Sequence, residues 1–227
     1  MLQNIRISEP SRLFQDEELM IAVQTFLRSG PYLNGLWTER FERELADFTG
    51  SRFAIGVSSG TSAIELSLRA LGIGTGDLVL CAANAGAYGS CSIAKVGAIP
   101  KYYDVDSRGL PKLEQIQNVA NGSEKALIVT HLYGQGSDLE TIKSWCLETD
   151  TFLIEDCSQA IGSYVNKLHV GNSGEVGIFS FYPTKPVGSI DGGMIVSNDH
   201  SKIEWFKQAV NNGAVYASNN WEKKIVF

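Results

Sequence analysis

From Phe53 onward the chain alternates short apolar runs with amphipathic ones, and that alternation leaves few folds open. Residues 53–57, 78–82, 99–103, 126–129, 151–154, 176–181 and 194–196 are short and rich in Val, Ile and Leu, which predicts buried strands. Between them, residues 61–71 (closed by Gly72), 90–96, 111–119 and 139–147 carry helical spacing. Strands alternating with amphipathic helices predict an α/β fold with a mainly parallel sheet covered on both faces. Two helices precede this pattern. Asp16 caps one that runs to about Arg28, with Leu19, Val23 and Phe26 on one face and Gly30-Pro31 as its stop. The other starts at Thr38, aligns Phe41, Leu45 and Phe48, and ends before Gly50. Residues 1–30 thus read as an N-terminal helical segment and 31–227 as one large domain. Residues 214–227 carry no capped element and read as a chain stopping mid-structure.

Composition removes several classes of function. A net charge of −6 leaves no basic footprint, so neither nucleic acid nor an anionic membrane is an expected partner. No apolar run approaches the length of a membrane span, and residues 1–18 lack the basic start and apolar centre of a signal peptide. A cytoplasmic protein is expected. Cys81, Cys91, Cys146 and Cys157 are far apart, with no CxxC pair and no histidine cluster, which points to reduced thiols and to no metal site.

Open α/β sheets bind ligands at the carboxyl ends of their strands, so the loops after each strand are read together. After Val57 comes SSGTSA, a small-residue turn entering a helix. Its backbone N–H groups and the helix dipole suit a phosphate, although N-capping by Thr61 or Ser62 explains the same residues. After Ile154 comes EDCSQA. Asp156 can hold a heterocyclic nitrogen protonated or cap a helix, and Gln159 can donate to the same ligand. His131, in HLYGQ, comes without metal-ligand spacing and reads as structural. After the run 176–181 comes Lys185, set among Phe179, Phe181, Tyr182, Pro186 and Val187, with no carboxylate nearer in sequence than Asp191. Partial desolvation favours the neutral amine that a Schiff base requires, whereas an isolated lysine is usually a solvated surface charge. The glycines at 72, 74 and 76 follow a helix and precede a strand, the reverse of a dinucleotide fingerprint.

A phosphate-ready turn at Gly60-Thr61, an acid at Asp156, a hydroxyl at Ser180 and an amine at Lys185 are together the parts needed to hold pyridoxal 5'-phosphate. The motifs VSSGTSAIELSLRALGIGTGD, GAIPKYYDVD, HLYGQ, IEDCSQAIGS and VGIFSFYPTKPVGSIDGGMIVSND resemble the DegT/DnrJ/EryC1/StrS sugar aminotransferases from about Gly30 onward. That resemblance implies the type I pyridoxal-phosphate fold. It implies that Lys185 forms the Schiff base and shuttles a proton, that Asp156 pairs with the pyridine nitrogen, and that Gln159 approaches the phenolic oxygen. Gly60, Thr61 and Ser180 are implied as the phosphate site. It further implies an amino-acid donor, commonly glutamate, a nucleotide-linked ketosugar acceptor, and a homodimer.

The chain departs from the family in two places. Where the family carries an aromatic ring over the cofactor, in a run like ANTF, this sequence has Asn84-Ala85-Gly86-Ala87-Tyr88, which makes Tyr88 the candidate stacking residue. Family members also continue into a smaller C-terminal domain that completes the substrate cleft. The expectation is therefore that 227 residues alone bind the cofactor weakly and turn over poorly. The family's dehydratase branch replaces the lysine with histidine, so Lys185 argues against it. A non-catalytic relic serving as a binding or dimerisation module is the alternative from another class.

Overall fold

The computed structural model describes residues 16–29, 32–210, 214–217 and 220–223. In chain order the elements are α1 (Glu17–Ser29), α2 (Leu36–Thr49), β1 (Phe53–Val57), α3 (Gly60–Ala70), β2 (Leu78–Ala82), α4 (Tyr88–Lys95), β3 (Ile99–Tyr103), α5 (Leu113–Val119) and β4 (Glu124–Thr130). They continue with α6 (Glu140–Glu148), β5 (Phe152–Asp156), the hairpin β6 (Tyr164–Val165) and β7 (Leu168–His169), β8 (Val176–Ser180), β9 (Gly193–Ser197) and α7 (His200–Val210). A second hairpin pairs β10 (Ala214–Ala217) with β11 (Asn220–Lys223). Residues 214–217 and 220–223, in the segment read as carrying no capped element, are thus strands, and the sequence reading had no counterpart of α7. The expected stop at Gly30-Pro31 lies outside the described residues.

Seven strands form one sheet in the order β1-β9-β8-β5-β4-β2-β3. The run β8-β5-β4-β2-β3 is parallel, and β9 lies antiparallel between β1 and β8. Alternate residues of the central strands feed opposite layers, as the period of two requires. Val79 and Cys81 join Ile64, Leu68, Ile93 and Phe206 on one side. Leu80 joins Tyr103, Ile142 and Trp145 on the other. Under α2, Leu45 meets Phe179, Phe181 and Met194. Burial on both faces explains why these strands read as continuous apolar runs.

The antiparallel β9 has a local consequence. Gly193, its first residue, pairs with both Val57 and Ser180, the last residues of β1 and β8. One strand start and two strand ends therefore meet at the sheet edge where ligands bind in this class of fold. Glycine is required there, because a Cβ on Gly193 would overlap the backbone of Ser59 and Gly60.

Candidate functional site

The turn after β1 is shaped to leave donors open. Ser59, extended at φ −166° and ψ 164°, caps α3: its Oγ accepts from Ser62 N–H at 3.1 Å, and its carbonyl accepts from Ala63 N–H at 2.9 Å. The cap is Ser59, and not Thr61 or Ser62 as the sequence suggested. Among the described residues the N–H groups of Gly60 and Thr61 have no protein acceptor, so the first turn of α3 presents two donors and the positive end of its dipole. Gly60 has to be glycine: an added Cβ would come 2.8 Å from Ser180 Cβ and 3.3 Å from the Oγ atoms of Ser158 and Ser180. These contacts bring two hydroxyls to the same donors. Ser158 was missed in the sequence, although it stands in the motif that supplied Asp156.

Asp156 ends β5 and is 9% exposed. Its Oδ1 accepts from Ser158 N–H at 3.0 Å, so it makes a local turn and does not cap a helix. Gln159 Oε1 accepts from Tyr133 N–H at 2.9 Å, which turns the amide NH2 into the group available to a ligand. Tyr133 holds a left-handed backbone at φ 56°, and this places its N–H there. Lys185 lies five residues beyond the end of β8, in a turn fixed by a bond from its N–H to Tyr182 O at 2.9 Å. It is not at the strand's end itself.

Gly60, Thr61, Tyr88, Asp156, Gln159, Ser180 and Lys185 all line one cavity of about 390 Å³. Ser59, Ser158, Thr130 and Asp191 share its wall. Asp191, the carboxylate nearest to Lys185 in sequence, therefore also shares its cavity. Its Oδ1 accepts from Gly192 N–H at 2.8 Å.

Behind the wall lies a buried brace. Ser137 N–H donates to His131 Nδ1 at 3.0 Å, which leaves Nε2 carrying the hydrogen that it donates to Glu155 Oε2 at 3.0 Å. Glu155 also accepts from the N–H groups of Gly171, Ser173 and Gly174 at 2.9, 2.6 and 2.9 Å. Burial by itself raises the Glu155 carboxyl. The bonds from His131, Gly171 and Gly174 outweigh it and hold the group below the usual carboxylate range. His131, Glu155 and Cys157 lie within 4.8 Å of one another, but these hydrogen bonds already engage the first two. The brace is structural: it fixes Thr130 and Asp156, its neighbours in sequence, which pair across β4 and β5.

A model of the DegT/DnrJ/EryC1/StrS aminotransferase family matches residues 14–226. The chain belongs to this family. The match takes in α1, ahead of the point where the sequence motifs begin. GDP-perosamine synthase of Vibrio cholerae is 34% identical over 194 residues, which cover 85% of this chain and 53% of that protein. The dTDP-3-amino-3,4,6-trideoxy-alpha-D-glucose transaminase of Micromonospora megalomicea subsp. nigra is 34% identical over 184 residues, covering 80% and 49%. Among solved structures, ntda of Bacillus subtilis with bound cofactor pmp superposes with a TM-score of 0.85 at 26% identity, covering 97% of this chain and 52% of that one. This family member spans about half the length of the relatives it matches. Its fold is that of the family's aminotransferases, and among the described residues no helix is long and apolar enough to cross a membrane.

Proposed function

We propose that this chain is the cofactor-binding part of an aminotransferase that uses pyridoxal 5'-phosphate. It would move an amino group from an amino-acid donor, glutamate in our reading, to a nucleotide-linked ketosugar. The observation that carries the proposal is the convergence of Lys185, Asp156 and the open N–H groups of Gly60 and Thr61 on one cavity. The donor set fits the cofactor at each of its polar points. Gly60 and Thr61 N–H, with the hydroxyls of Ser158 and Ser180, bind the phosphate. The Asp156 carboxylate holds a proton on the ring nitrogen, and the Gln159 amide donates to the phenolic oxygen.

When bound, the cofactor supplies an electron sink for the donor's α-carbon. Lys185 would hold the cofactor through its Nζ, and the same amine, when free, would be the base for the proton on that α-carbon. Asp156 is held by Ser158 N–H and by its place at the end of β5, so its carboxylate needs little reorientation to do its part.

A second copy of the chain is the partner we assign. Supporting this are the apolar side chains standing in solvent around the Lys185 turn and α2, including Leu33, Leu36, Val187 and Ile190. The cytoplasm is the compartment we assign, supported by four unpaired cysteines, three of them buried. The functional reading is tested by titrating the protein with pyridoxal phosphate and following the visible absorbance of the Schiff base. The parent is expected to develop that band and Lys185→Ala to lack it. A Lys185→Ala protein that develops the parent's band would refute the role given to this amine.

A further inference from the structure

We propose that Ser189 is a positioning residue for Lys185: it clasps the loop that carries the amine to the carbonyl of Phe181, and the clasp sets where the amine stands in the cavity. The inference deepens the proposed function and rests on it. Ser180 and Gly193 pair where β8 ends and β9 begins, so residues 181–192 leave and re-enter the sheet at one point and form a closed loop with Lys185 on it. Backbone bonds tie its neck. Phe181 N–H donates to Gly192 O at 2.9 Å, and Ser189 N–H donates to Phe181 O at 2.8 Å. The Ser189 hydroxyl reaches both sides of the neck, its one hydrogen lying between Asp191 O at 2.8 Å and Phe181 O at 3.2 Å. Phe181 is a firm anchor, because it is buried and its ring lies 5.0 Å from that of Phe41 on α2.

The clasp matters because little else holds the amine. Among the described residues the Lys185 side chain has no hydrogen bond or ion pair, so the path of its backbone decides where Nζ stands. The loop buries little apolar surface that could hold it instead: Tyr182 and Val187 are half exposed, and Ile190 almost wholly so. A second crossing lies nearer the lysine. Gly188 passes so close to Pro183 that an added Cβ would come 2.9 Å from the Pro183 carbonyl oxygen, and Lys185 N–H closes the turn onto Tyr182 O at 2.9 Å. Ser189 follows Gly188 directly, so its bonds to Phe181 keep that crossing shut. Asp156 and the Gly60-Thr61 donors stand on other elements, β5 and α3, and owe nothing to the clasp. Loosening the loop should therefore move the amine and leave the ring and phosphate contacts as they are.

Two probes tell these parts of the cavity apart. Pyridoxal 5'-phosphate reports the amine through Schiff-base absorbance. Pyridoxamine 5'-phosphate carries an amine in place of the aldehyde, cannot bond to Lys185, and reports the ring and phosphate contacts through quenching of protein fluorescence. In Ser189→Ala the dissociation constant for pyridoxal phosphate is expected to rise about fivefold, the size of one neutral hydrogen bond, with that for pyridoxamine phosphate within about twofold of the parent. Ser189→Thr, which keeps the hydroxyl, is expected to match the parent with both probes. Gly188→Ala, which forces the crossing apart, is expected to show the same selective loss, larger than in Ser189→Ala. Far-UV dichroism checks that each variant is folded. Parent-like affinity for pyridoxal phosphate in Ser189→Ala, or equal weakening toward both probes, overturns the assignment while leaving Lys185 and Asp156 in place. A loss in Ser189→Thr as large as in Ser189→Ala overturns it too. A parent that takes up neither probe overturns the functional reading itself.

Discussion

At the inner wall of the cavity, behind the ends of β4 and β5, His131 and Glu155 satisfy each other and tie down three backbone N–H groups with almost no solvent contact. At the outer rim, from the Lys185 turn to α2, the opposite holds. Leu33 is 84% exposed and Ile190 86%, while Trp37, Phe41 and Val187 line an open apolar hollow of about 730 Å³ that shares Asp191 with the site. The contrast separates two tasks. The inner wall sets where the acid and the phosphate donors stand, and it does so within this chain. The rim carries the amine on a turn whose apolar neighbours have yet to be covered, which is where we place the second copy.

If the inner wall is the rigid half, the largest effect should come from cutting its brace. Glu155→Ala leaves His131 and three N–H groups without their acceptor, and about 3–5 kcal/mol of stability should be lost, read as a fall in the urea midpoint. Acid should do the same by titration. The folded carboxyl titrates below its ordinary value of 4.5, so its contribution is full above that pH and is lost as pH falls through the folded value. Glu155→Gln should therefore show a flatter acid limb than the parent, along with lower stability at neutral pH. An acid limb of equal slope in both proteins would contradict the brace.

Gly193→Ala should rank next. The new methyl meets the backbone of Ser59 and Gly60, which cannot swing aside, so about 1–3 kcal/mol of strain should fall on the phosphate turn. Cofactor affinity should drop by more than stability alone explains, and competition by inorganic phosphate should weaken in parallel. Retained phosphate competition would show that the turn is not the anion site. The smallest effect on stability belongs to the rim. Leu33→Ser with Ile190→Ser should change the unfolding midpoint by within ~0.5 kcal/mol per site, yet should lower self-association in sedimentation runs. A large stability loss with unchanged association would remove the distinction between the two regions.

The sequence showed the inner half of this picture more fully than the outer. Strands 78–82 and 99–103 matched to the residue, the first because burial on both faces makes a strand an unbroken apolar run, the second although it is an edge strand with Ile99 and Tyr102 half exposed. The seven candidate site residues reach one cavity because each lies near the carboxyl end of a strand or the start of a helix. What stayed hidden depends on close approach or on pairing distant in sequence. Ser59 could not be told from Thr61 and Ser62 as the cap, since all three have a capping side chain and only backbone angles decide. Gly193 lay just outside the expected strand 194–196, and its close approach to Ser59 depends on β9 being inserted antiparallel beside β1. The Glu155 brace was invisible because its donors lie up to 24 residues away, and the apolar stripe of α2 gave no sign that Phe41 and Phe48 would remain exposed.

The most direct check on whether Lys185 and Asp156 serve one ligand is to reduce the pyridoxal-phosphate-loaded protein with borohydride and locate the added mass by peptide mapping. In the parent the label should fall on the peptide containing Lys185. In Asp156→Asn, binding should weaken while the label stays at that position. Label spread over surface lysines, or a parent with none, would show that the cavity is not the cofactor's site.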